Sequence, residues 1–457
     1  TKVLYSRGAD LVAGREEPRA APLIEPKYLR PAAGSSAQGL KGEYFGNRDC
    51  SGEPLLTRTD ARVAFRWDRG SPTDDLVAQG RLPTDRAVPS DDFCVRWTGE
   101  LVPPVTGRYE ITVGADDGFR LFVDGRALID NWQINPRMQS KSAYVDLEAG
   151  RARELELEYF DNVRDAEVRL AWRLPGAKPP FEEALDATRA ADVVVFVGGL
   201  TGDVEGEEMR VSYPGFAGGD RTDLALPATQ QRLLEALQAT GKPVVLVLTT
   251  GSALAVDWAQ EHVPAILVAW YPGQRGGSAV ADVLFGAVNP AGRLPVTFYK
   301  ESEKLPAFDD YAMRGRTYRY FEGEPLYPFG HGLSYTKFEY SDLKLDRARV
   351  APGGSLLVSV NVRNTGARAG DEVVQLYVRE LSPPEPRALK ELRGVERVTL
   401  AAGETRRVSF TLLPARDFTH YDVERKAYAV DAGRYEIELG ASSGDIRLRS
   451  TVAVTSE

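Results

Sequence analysis

The sequence is poor in the residues that build metal centres and disulfide frameworks. Its two cysteines, Cys50 and Cys94, are too few for a disulfide scaffold; they could pair or stay free, and they say little about redox compartment. Its three histidines, His262, His331 and His420, lie far apart without metal-ligand spacing, so no metal or other cofactor is expected. Basic residues are in the minority, 57 Lys and Arg against 66 Asp and Glu, and a net charge of −9 argues against nucleic acid or an anionic membrane as partner. No apolar run is long enough to span a bilayer. An initiator methionine and a signal-peptide pattern are missing as well: the chain starts at Thr1, and its residues 2–6 read as a sheet strand with nothing before it. A strand at a raw end suggests a cut or split protein. Any targeting segment would then lie upstream, which leaves the compartment open, with periplasm or secretion favoured over cytoplasm.

What is present is ordinary globular material in several blocks. A chain of 457 residues allows roughly three domains at ~150 residues each. Residues 7–37, rich in Ala, Pro, Gly, Arg and Glu, read as linker. From about 38 to 175 the pattern is period-two alternation, as in 108–113 and 154–159, with Asp124-Gly125 as a type I′ hairpin signal and four of the six tryptophans, Trp67, Trp97, Trp132 and Trp172. This predicts an all-β sandwich. Residues 176–338 alternate helices (181–190, 229–239, 277–285) with short apolar runs at 193–197, 244–248, 265–269 and 294–297, the logic of an open, doubly wound α/β sheet. Residues 339–457 return to short strands separated by turns, an immunoglobulin-like sandwich.

The α/β block is organised around Gly198 to Met209, which directly follows the run 193–197, read as a fully buried strand. Ligands of such sheets bind beyond the carboxyl ends of strands, where this loop lies. Asp203, Glu205, Glu207 and Glu208 crowd it. Like charges packed together raise the pKa of some member, which keeps a carboxyl protonated for general-acid work; a solvated acidic loop is the competing reading. The turns 249–252 and 270–274 fall on the same side and could line a pocket, although Trp270 alone is more often core than subsite.

Several segments taken together resemble the carboxyl-terminal half of family 3 glycoside hydrolases, the β-glucosidase and β-xylosidase group. They are Gly199-Leu200, Glu205-Gly206-Glu207-Glu208-Met209, Gly219-Asp220-Arg221-Thr222-Asp223-Leu224 with Leu226-Pro227, Trp270 to Gln274, Asn289 to Pro295, and Phe329 to Tyr335. The last block resembles the fibronectin type III-like domain of that family. Residues 38–175 resemble the protective-antigen-type sandwich inserted in some β-glucosidases, on Gly42 to Phe45 and Ala115 to Asp124. The (β/α)₈ barrel of the family is missing from this chain.

The resemblance implies retaining hydrolysis by two carboxylates about 5–5.5 Å apart, a nucleophile and an acid/base. The second acid of the family's Glu-x-Glu pattern maps to Glu207 as acid/base, with Glu205 and Glu208 as supporting charges. In common members a glycine follows the acid and Asp-Arg comes almost at once. Here Glu208 follows and about ten residues precede Asp220-Arg221, which makes Glu208 the second choice for the acid. Arg221 and Glu205 are expected to bind substrate, and the loop Asp130-Asn131-Trp132 is a candidate wall of the aglycone subsites. Asp116-Asp117 resembles the Ca²⁺-holding pair of adhesin domains, but a turn is the favoured reading. The family nucleophile is an aspartate of a Ser-Asp-Trp motif on the barrel. No such tripeptide occurs here, and Ser90-Asp91-Asp92 belongs to the inserted sandwich. The expected partners are therefore a barrel-bearing segment of the same enzyme and a β-linked oligosaccharide or glucoside, with a homodimer left open. A β-xylosidase and a non-catalytic carbohydrate-binding module are the alternatives.

Overall fold

Period-two alternation in the first part of the chain becomes two antiparallel sheets. The computed structural model describes residues 2–13, 21–135, 138–209, 211–302, 305–307, 309–383 and 385–456, in two units, Thr1–Ala190 and Ala191–Glu457. In the first unit, one sheet runs Leu56–Asp60, Leu40–Phe45, Phe93–Leu101, Arg153–Asp161, Gly118–Val123, Arg126–Asn131, with Leu29–Arg30 also paired to Phe93–Leu101. The other runs Ala64–Asp68, Ala166–Arg173, Gly107–Ala115, Gln139–Leu147. Their inward faces bury Trp97, Trp172, Tyr44, Tyr109, Tyr159, Phe93 and Phe119. Asp60 is the polar centre of this core, accepting from Tyr44 Oη at 2.6 Å, Trp97 Nε1 at 2.8 Å and Arg58 Nε at 2.7 Å. Cys50 and Cys94 are bonded to each other and pack with Phe45 and Phe160. Asp116-Asp117 is a turn between two strands, and Asp124 and Gly125 both take positive φ (50° and 70°), as a type I′ hairpin requires.

Beneath that turn lies Asp161, fully buried, with both carboxylate oxygens unpartnered among the described residues. Burial, then the neighbouring Asp116 and Asp117, push its pKa up to about 8; burial raises Asp116 to about 6.

Two expectations for this unit need correction. Residues 2–8 form no strand, and Val3 and Tyr5 are 83% and 89% exposed. A strand is a paired object, and no described residue pairs with this one. The linker reading also fails in part: Leu23 bridges to Ala171, Ile24 is buried, and Leu29–Arg30 joins a sheet. Residues 14–20 of that segment lie outside the described residues.

In the second unit β1 (Val194–Gly199), β2 (Val244–Thr249) and β3 (Ala265–Val268) form a parallel sheet in that order, with Val194 opposite Val244 and Val245 opposite Ala265. Helix α1 (Ala228–Gln238) buries Leu233, Leu234 and Leu237, as their spacing predicts. Helix α2 (Gly276–Leu284) buries no residue. The run 193–197, most of which is β1, is not fully buried: Val193, Val195 and Val197 are 52%, 49% and 61% exposed. Parallel sheets are normally covered on both faces; here α1 packs on one, and no described element covers the face that carries these valines. Residues 294–297 are not a strand either. Pro295 has no N–H to donate, Leu294 N bonds to His331 O at 2.9 Å, and the nearest bridge is Phe298 to Tyr327. Beyond Phe338 the chain forms a three-stranded sheet (Phe338–Leu345, Leu356–Asn364, Thr405–Leu412) over a five-stranded one centred on Gly370–Glu380 and Gly433–Gly440. The fold is thus mostly sheet, with an α/β part between β parts.

Candidate active site

The acidic loop is set in place by the end of β1. Gly199 takes φ 115°, and a Cβ there would lie 2.0 Å from Thr249 O, so only glycine lets β1 run this close to β2. Gln230 of α1 clamps the same residue, accepting from Gly199 N at 2.6 Å and donating to Gly199 O at 2.7 Å. The loop then folds onto a short three-stranded meander, Ser212–Tyr213, Phe216–Ala217 and Asp220–Arg221. Gly206 N donates to Gly219 O at 3.0 Å and Met209 N to Gly218 O at 2.8 Å, and Val204 and Met209 are buried beneath.

The acids crowded together in sequence meet different surroundings. Glu205 is half-buried and its carboxylate accepts three hydrogen bonds: Gly251 N donates at 3.0 Å and Tyr271 Oη at 2.5 Å to one oxygen, and Ser252 Oγ donates to the other. Burial, then the bond to Glu205, hold the Tyr271 phenol well above its usual pKa. Arg221 supports the group from below. Its side chain is only 9% exposed, it donates to Ser252 Oγ at 3.4 Å and Ala225 O at 3.0 Å, and burial pulls its pKa down. Glu207 and Glu208 are exposed, and neither makes a hydrogen bond or ion pair among the described residues. Glu208 sits at φ 46°, the left-handed region that turns the chain back toward the meander.

The structure therefore brings Glu205, Glu207, Glu208 and Arg221 together on one loop and its supports. Asp130 and Trp132 belong to the first unit. Asp130 is exposed and accepts from Trp132 N at 3.2 Å; the Trp132 ring lies under the Arg120 guanidinium at 4.0 Å and edge-on to Phe160 at 4.7 Å. Sequence reading located the turns 249–252 and 270–274 but not the role of Ser252 and Tyr271. The available signal was only that both sit, like the loop, just past the carboxyl end of a strand.

Comparison with known proteins shows the family. The family model for the glycosyl hydrolase family 3 C-terminal domain matches residues 54–335, and that for a fibronectin type III-like domain matches 372–443. A xylan 1,4-β-xylosidase of Xylanibacter ruminicola is 36% identical over 418 residues, 90% of this chain and 46% of the relative. A β-glucosidase of Rhizobium radiobacter is 34% identical over 436 residues, 89% of this chain and 50% of the relative. The crystal structure of a Kluyveromyces marxianus β-glucosidase in complex with glucose superposes with a TM-score of 0.69 at 25% identity, covering 96% of this chain and 53% of that one. The chain spans about half the length of the curated relatives it matches. On the strength of the 54–335 match, this chain belongs to glycoside hydrolase family 3.

Proposed function

We propose that this chain is the distal part of a retaining, exo-acting β-glucosidase that removes terminal β-D-glucosyl residues from oligosaccharides. Glu207 supplies the general acid/base, and an aspartate nucleophile comes from a barrel segment outside this chain. The observation that carries the reading is the division of labour on the acidic loop. Glu205 is committed to three donors and anchors the backbone, whereas Glu207, two residues on, is exposed and uncommitted. A proton donor must be able to carry a proton to the glycosidic oxygen of a substrate that enters from solvent, whereas three hydrogen bonds donated to a carboxylate by its own protein favour the ionised form and hold the group in place. Glu208 shares the exposure but sits on the left-handed turn, and is the second choice. The bare valine face of β1 is suited to receive the remaining α/β material and with it the barrel-bearing segment. The sandwich at 38–175 is read, on its resemblance, as a protective-antigen-type insert.

The test pairs this chain with its barrel segment and compares wild type with Glu207→Ala on aryl β-glucosides. Loss of about 10²–10⁴-fold in turnover, partly restored by azide, is expected for an acid/base. Unchanged turnover removes Glu207 from the role, and the same profile in Glu208→Ala transfers it. A β-xylosidase is the second reading, favoured by the likeness to the Xylanibacter ruminicola protein. The ratio of kcat/KM on aryl β-xylosides and β-glucosides decides between them. A chain that binds saccharides with no barrel segment to join would instead be a carbohydrate-binding module.

A further inference from the structure

A cavity of about 400 Å³ opens between the segment around His331 to Phe338 and the terminal sandwich, and shares no lining residue with the acidic loop. Its size falls in the ~300–1,000 Å³ range of small-molecule sites. Most of its charges are neutralised before any ligand arrives. Arg293 pairs with Glu372 at 2.9 Å, the two side chains 9% and 2% exposed, and Arg447 pairs with Asp445 at 3.0 Å. Lys337 and Glu339, one of each sign and both exposed at the rim, have no ion-pair partner among the described residues. An anion would meet Glu339, Glu372 and Asp445; a cation would meet Arg293, Lys337 and Arg447. A neutral molecule carrying both donors and acceptors satisfies the whole lining.

Two polar groups that are deeply buried in this wall still have capacity. Arg293 Nε has no acceptor among the described residues. Ser442, 2% exposed, accepts from Asp445 N at 2.9 Å and Gly444 N at 3.3 Å, while its own O–H finds no acceptor among the described residues. His331 is kept neutral by burial, then by the Arg293 charge, so its ring offers one donor and one acceptor. The Phe338 ring and Leu333, 75% exposed, add apolar surface. The wall is also rigid. Gly330 N bonds Leu294 O at 2.8 Å, Tyr335 N bonds Asn289 Oδ1 at 2.8 Å, and a Cβ at Gly332 would lie 2.3 Å from Gly292 O. A preformed wall lowers the ordering cost of binding.

We propose that this cavity is a second, non-catalytic site for a neutral mono- or disaccharide, gripped by Lys337, Glu339, His331 and the Arg293–Glu372 pair. The cavity's preference for a neutral donor–acceptor ligand stands on its lining, and the choice of a saccharide as that ligand rests on the glycosidase reading. The experiment is isothermal titration of the full chain with D-glucose, D-xylose, cellobiose and xylobiose, and with inorganic phosphate as the charged control. Saturable binding of at least one sugar is expected. Thr365→Trp, which plugs the exposed rim, should abolish it, and Lys337→Met or Glu339→Gln should each raise Kd about tenfold, the size of one hydrogen bond to a charged group. Glu207→Gln should leave it unchanged. Absence of saturable sugar binding, or binding of phosphate alone, overturns the proposal. So does binding that survives Thr365→Trp but is lost in Glu207→Gln, an outcome that places the sugar at the acidic loop and leaves the glycosidase reading intact. Should Thr365→Trp lower the melting temperature, Lys337→Met decides, and an unchanged Kd there counts against the site.

Discussion

Valine in the first unit and valine on β1 meet opposite fates. Val95, Val113 and Val168 of the N-terminal sandwich are wholly buried, whereas Val193, Val195 and Val197 are about half exposed. Residue type is the same in both places, although the sandwich strands pair antiparallel and β1 pairs parallel. The difference is the second layer: each sheet of the sandwich faces the other, while the parallel sheet has α1 on one face and bare valine on the other. A strand's burial is therefore a property of what is stacked on it. An uncovered row of β-branched residues on an edge strand marks a place where more protein fits, and a place prone to wrong pairing if left open.

That contrast can be broken by mutation. The largest loss is expected in the closed core: Trp97→Ala should cost about 3–5 kcal/mol, leaving a cavity and removing a donor from buried Asp60, and chemical denaturation of the chain measures it. A loss under about 1 kcal/mol would show the sandwich to be loosely packed. Next comes a pH effect confined to the first unit. The folded pKa of Asp161 is raised from 3.8 to about 8 and that of Asp116 to about 6, so the folded chain holds protons that the unfolded chain releases. Their contribution is full below pH 3.8 and is lost as pH climbs toward about 8. Thermal melts should show the first unit weakening from pH 5 to 8, and Asp161→Asn should flatten that slope and raise the midpoint at pH 8. A slope unaltered in Asp161→Asn assigns the pH response elsewhere.

Tyr271→Phe removes one of the donors on Glu205, about 1 kcal/mol of local order. Hydrogen exchange at Val204 and Glu205, whose amides bond Thr201 O, should speed up while the sandwich amides stay unchanged. The smallest effect is expected on the open face. Val195→Thr should change the stability of this chain by less than about 0.5 kcal/mol, yet weaken its association with a barrel-bearing segment. A large intrinsic loss would mean that the face is already covered.

Much of the fold was legible because its signals are local. The helices at 180–189, 228–238 and 276–284 fall within a residue or so of their expected bounds, since apolar spacing and Pro or Gly punctuation act over one or two turns. The Asp124-Gly125 hairpin was legible for the same reason, as its residues tolerate the positive φ it needs. The reading failed where a strand needed a neighbour. Residues 2–6 and 294–297 have strand-like composition, but no described ladder receives them.

The acidic loop divides along the same line. Its glycines and clustered acids, read from sequence, place a carboxyl-rich turn at the end of a parallel strand. That Glu205 is committed while Glu207 and Glu208 stay open was decided only in three dimensions, by Ser252 and Tyr271, 47 and 66 residues from Glu205. Local backbone preference is written residue by residue in a chain, whereas the commitment of a side chain depends on groups that distant segments carry to it. That is why Glu205 and Glu207, indistinguishable as letters, end as an anchor and an open carboxylate.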